Sequence, residues 1–164
     1  SKIPGMSIFQ VVDNGSWWYI NPLVGLNKPI DLSKAELQAL EDQLDLAGLL
    51  NYQEKGYQAT LIGEDNVLDT PVFKIQLRTP SGVLTTNYIS KETHLVVQSV
   101  IQMSVEGQVA ETTITPSNYK KVDGIMFPFT SKIRSSKMPS EIMVSQTKRV
   151  EVNPVLPSNL FKRP

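Results

Sequence analysis

The chain has 164 residues, in which 16 basic and 16 acidic side chains cancel and a single histidine stands alone. A chain of this length buries about 68–70 % of its unfolded surface and needs no staple. With no cysteine it has no disulfide, no thiolate metal site and no cysteine nucleophile.

The basic clusters are only pairs, such as Lys120-Lys121 and Lys162-Arg163, which argues against a nucleic-acid binder with its basic stripe. No apolar run approaches the roughly 20 residues that span a bilayer, so no transmembrane segment is expected. The opening Ser1-Lys2-Ile3-Pro4-Gly5 lacks the apolar centre of a signal peptide.

Met6 to Val12 reads as a strand, Asp13-Asn14-Gly15-Ser16 as a turn, and Trp17 to Ile20 as the returning strand. In Trp17-Trp18-Tyr19, alternate aromatics read as core on one face and edge guards on the other. A loop marked by Asn21-Pro22 and Gly25 follows. Ser33-Lys34-Ala35-Glu36 fits a capping box, in which the serine and glutamate side chains satisfy the first free amides of a helix. Leu37, Leu40 and Leu44 then recur at three and four residues, giving one apolar stripe on a helix from about Lys34 to Asp45.

From Gly56 the pattern is a meander. Tyr57 to Ile62 is a strand, with a turn at Gly63-Glu64-Asp65-Asn66. Val72 to Arg78 alternates apolar and charged residues, as in a sheet with one face on a core and one in water. Turns at Thr79-Pro80-Ser81-Gly82 and Ser90-Lys91-Glu92-Thr93 bracket a strand from Val83 to Ile89. His94 to Val105 and Gln108 to Thr115 follow, joined at Glu106-Gly107. Asn118 to Val122 returns through Asp123-Gly124 into Ile125 to Arg134, with Ile125, Phe127 and Phe129 on one face. Glu141 to Val152 closes the series. The class is β-rich α+β, a single domain over residues 1–164 with an antiparallel sheet, barrel or sandwich and one dominant helix.

Chemistry is sparse. His94 sits at a turn and reads as a surface residue; with no second histidine or cysteine, no zinc or copper site is expected. There is no Gly-x-Ser-x-Gly segment and no partner for the histidine, so a serine hydrolase lacks its base and orienting acid. Glu41-Asp42 and Glu64-Asp65 are sequence neighbours that face water rather than a glycosidase pair set across a cleft. Asp65-Asn66 with Asp69 lacks the spacing of a calcium loop, and no phosphate-binding glycine pattern occurs. No catalytic residue, metal or cofactor is assigned, and no enzyme is expected.

Several segments, in order, resemble the LolA/LolB-type lipoprotein carrier and receptor fold, above all its outer-membrane lipoprotein-sorting relatives. They are Asp13-Asn14-Gly15 with Trp18, Pro22 to Gly25, the leucine-rich helix, Tyr57 to Glu64, Asn87 to Leu95, Tyr119 to Pro128 and Leu160-Phe161. The resemblance implies a LolA-like open half-barrel, a curved antiparallel sheet with a helix packed on its concave face. It also implies a periplasmic or envelope-associated protein that holds lipid or the acyl chains of a protein between sheet and helix. The family's leading helix and first strands, with the basic position some carriers use, have no counterpart ahead of Met6.

Under this reading the candidate lining is Leu37, Leu40 and Leu44 on the helix, with Phe73, Ile75, Leu77, Ile101, Met103, Phe127 and Phe129 on the sheet. The same residues also read as ordinary core, and strand parity does not say which set faces the concavity. The alternative is a structural or interaction module of the envelope, whose free sheet edge recruits another envelope protein.

Overall fold

The computed structural model describes residues 9–13, 16–22, 25–31, 33, 37, 42, 45, 48–105, 108–157 and 162. Ten strands are defined: β1 Phe9–Asp13, β2 Ser16–Asn21, β3 Leu26–Asp31, β4 Gln58–Val67, β5 Thr70–Arg78, β6 Leu84–Ser90, β7 Val96–Val105, β8 Gln108–Val122, β9 Ile125–Ser135 and β10 Met138–Gln146. They fall into two compact units, one formed by Ser1–Leu44 with Pro154–Pro164 and the other by Asp45–Asn153.

In the first unit β1, β2 and β3 form a three-stranded antiparallel sheet. β1 and β2 answer the first two expected strands, whereas β3 falls after the loop, in a stretch where no strand was expected. Its Pro29 leaves a gap in the donor row, which an edge position tolerates. Trp18 is the buried member of the aromatic trio, and Trp17 and Tyr19 are half-buried.

The expected helix does not stand among the described elements. Most of its span, with Leu40, Leu44 and Glu36, lies outside the described residues. Leu37 carries helical backbone, and its amide donates to the Ser33 carbonyl at 2.9 Å. Leu160-Phe161 also lies outside the described residues.

The second unit is a seven-stranded antiparallel sheet in the order β10-β9-β8-β7-β6-β5-β4, unclosed, with β4 and β10 at its edges. Every neighbouring pair is consecutive in sequence, so short hairpins suffice. Two of them are two-residue turns with both residues at positive φ: Leu68-Asp69 (51° and 59°) and Asp123-Gly124 (48° and 85°). This is the hand that matches strand twist.

The sequence places the Asp123-Gly124 turn correctly and the preceding one wrongly. The chain does not turn at Gly63-Glu64-Asp65-Asn66. Ile62 is the extra residue of a bulge between Leu61 and Gly63 (φ 140°), and β4 runs on in register with β5 to Val67. The continuing ladder satisfies backbone groups that a four-residue turn would leave to water.

Cross-strand register sorts the side chains. One row runs Leu77, Thr85, Ile101, Thr112; a second runs Ile75, Asn87, Ser99, Ile114, Ile133, Met143; a third runs Phe73, Ile89, Val96. Directly paired residues point to the same side, so these rows make one largely apolar face. Within it Ser99 Oγ donates to Asn87 Oδ1 at 2.7 Å, so that pair is satisfied internally.

The opposite face carries rows such as Gln76, Thr86, Val100, Thr113, Arg134 and Leu84, Gln102, Glu111. There Gln102 Nε2 donates to Glu111 Oε2 at 3.1 Å. The buried residues Val72, Leu77 and Val83 gather on β5 and beside the turn at 79–83.

Candidate functional site

The site arises where the sheet comes apart locally. The ladder between β7 and β8 ends at the pair Ser99–Ile114, yet β8 continues with β9 to Val122–Ile125, as a two-stranded ribbon beyond the point where β10 leaves β9 at Gln146–Thr130. Two sequence features coincide at that point. Pro116 has no amide to offer a ladder, and Val97 is the extra residue where the β6–β7 register shifts between Tyr88–Gln98 and Ile89–Val96. A bulge bends its strand, and β7 therefore departs from β8 as β8 loses a donor.

Between them lies an open recess of about 430 Å³, within the roughly 300–1,000 Å³ range of small-molecule sites. The turn before β7 supplies His94 and Leu95, and β7 supplies Val96. From β8 come Ile114, Pro116 and Tyr119. The β9 side is Ile125 to Pro128, with Ser131. Among the described residues the lining is apolar except for His94, Tyr119 and Ser131.

Tyr119 bridges the opening: its hydroxyl donates to the Val96 carbonyl at 2.9 Å. That bond replaces, with a side chain, the ladder that has stopped. Partial burial raises the pKa of its phenol, because the phenolate loses solvation there.

The turn that presents His94 is bonded at both ends. Ser90 is nearly fully buried, and its hydroxyl accepts the Glu92 and Thr93 amides at 3.3 and 3.1 Å. The Ser90 amide donates to the Leu95 carbonyl at 2.9 Å and the His94 amide to the Ser90 carbonyl at 3.0 Å. His94 itself is exposed and takes φ 57°, the left-handed conformation that ends such turns.

The residues expected to line a cavity separate into groups. Phe73, Ile75, Leu77, Ile101 and Met103 share the apolar face of the sheet by register, with Leu77 buried and the others half-buried. Phe127 and Phe129 are half-buried on β9, and among the described candidates only Phe127 lines the recess. Phe129 lies 4.5 Å below the Lys120 ammonium. Leu37 is half-buried in the other unit, and Leu40 and Leu44 lie outside the described residues.

The sequence reading missed His94, Leu95, Val96, Ile114, Pro116 and Tyr119 as lining. The available signal was the proline within a strand pattern. Among the described residues no cluster of His, Asp and Glu could hold a metal, and no helix is long and apolar enough to cross a membrane.

No family model matches the sequence, and no curated protein does. Two solved structures share the architecture. One is a domain from Vibrio parahaemolyticus named for outer membrane lipoprotein sorting, with a TM-score of 0.59 at 14% identity over 89% of this chain and 63% of that one. The other is a LolA superfamily protein from Nitrosomonas europaea, with a TM-score of 0.63 at 16% identity over 99% of this chain and 73% of that one. The chain thus has a LolA-like fold, and spans less than two thirds of the Vibrio domain.

Proposed function

We propose that the chain is a non-enzymatic, envelope-associated domain that sequesters an apolar ligand, of the kind found on lipids and acylated proteins. The observation that carries this is the recess between β7 and the β8–β9 ribbon, walled by Leu95, Val96, Ile114 and Phe127 and open to solvent. Each methylene buried there contributes roughly 0.8 kcal/mol, so part of one acyl chain gives useful affinity without polar contacts. The naming of the Vibrio neighbour for lipoprotein sorting supports the same reading. Under it the half-buried face residues Phe73, Ile75, Ile101 and Met103 extend the apolar surface beyond the recess.

Native mass spectrometry of gently purified protein, followed by lipid extraction of the same sample, tests the proposal. A co-purifying lipid or acylated peptide is expected. A clean apo mass with no uptake from offered lipids would sink it.

One observation favours a second reading, a protein-interaction module. Edge strand β10 leaves Ile142, Met143 and Val144 exposed at 50%, 50% and 56%. Apolar residues on an edge are a template for another strand. Concentration-dependent sedimentation without bound lipid would support that reading.

A further inference from the structure

We propose that the recess takes a single-chain amphiphile with an acidic head, the chain lying against β9 and the carboxylate meeting the His94 imidazole. The inference rests on the apolar-ligand reading and adds the chemical class of the ligand.

Size comes first. About 430 Å³ is room for about fourteen groups the size of a water molecule at about 30 Å³ each. That accommodates one alkyl chain of moderate length.

Charge selects the head. Among the described residues no carboxylate and no ammonium lines the recess; the ionisable side chains there are His94 and Tyr119. The Tyr119 hydroxyl proton is committed to the Val96 carbonyl. Charged side chains on the flanking segments are the exposed Glu92, the exposed Asp123 of the β8–β9 turn, the exposed Lys132 on β9 and, from the same turn as Glu92, Lys91, which is ion-paired with Glu64 and sits 5.2 Å over the Phe73 ring. On β8, Lys120 lies over Phe129, and Lys121 is exposed; the β9 lining carries no charge. Among the described lining residues a cationic head finds no carboxylate, whereas an anionic head finds the His94 imidazole as a hydrogen-bond donor.

Position makes the contact inexpensive. The hydrogen-bonded Ser90–Leu95 turn fixes the His94 backbone before any ligand arrives, so only its side chain remains to be ordered by binding.

The test measures affinity for laurate and for the uncharged dodecanol at pH 6, by displacement of an apolar fluorescent dye. Wild-type protein is compared with His94→Asn, a substitution that tolerates the left-handed backbone. The expected result is a laurate preference that falls about fivefold in the variant, the scale of one net hydrogen bond. Equal binding of both ligands, or a preference unchanged by His94→Asn, overturns the acidic-head inference and leaves the apolar-ligand reading standing. Binding of neither ligand overturns both.

Discussion

Tyr119 shows how one side chain does the work of a missing ladder. Its hydroxyl reaches the Val96 carbonyl at 2.9 Å across the gap between β8 and β7. Tyr119→Phe removes the donor and is expected to cost about 1 kcal/mol in urea unfolding at pH 8. The phenol's pKa is raised by desolvation, so the unfolded chain ionises first as pH rises. This contribution is intact below about pH 10 and is lost as pH climbs from there through the raised native value. The gap in urea midpoint between wild type and Tyr119→Phe should therefore narrow above that pH; a gap that widened would contradict the assignment. The aromatic was visible in the sequence within the Tyr119 to Pro128 motif. Its partner was not, because a backbone carbonyl 23 residues away leaves no compositional mark.

At the scale of elements, the two tight hairpins divide what is legible from what is not. Asp123-Gly124 is a turn that propensity alone identifies, since both residues accept positive φ. Leu68-Asp69 adopts the same geometry against propensity, with Leu68 at φ 51° and 68% exposed. The register of β4 on β5, from Gln58–Arg78 to Val67–Thr70, decides the turn there. Leu68→Asn should relieve the left-handed strain and stabilise the protein by about 1 kcal/mol, read as a higher urea midpoint at unchanged slope. No change, or a loss, would mean that the leucine side chain makes a compensating contact.

For the molecule as a whole, the amphipathic seven-stranded sheet and the recess beside it are the features that bear on function. Phe127 tests which role dominates, as it is both a half-buried sheet residue and a wall of the recess. A fully packed phenylalanine costs about 3–5 kcal/mol on truncation to alanine. Phe127→Ala is expected to cost less than that in unfolding while weakening retention of an apolar ligand severalfold, measured by dye displacement. A full core penalty with unchanged ligand affinity would return Phe127 to the core and remove it from the site.

The sequence by itself determined the antiparallel meander, because period-two alternation and turn residues act locally and each strand needs only its neighbour. It also determined that Phe73, Ile75 and Leu77 share one face, since parity along a strand is fixed by the pleat. Tertiary structure alone decided that this row continues through Ile101 on β7, because register between strands depends on bulges and on where each ladder ends. It likewise decided the site: β7 and β8 part at Val97 and Pro116, and His94, Leu95 and Val96 then face Tyr119 and Phe127 across a space no single strand contains.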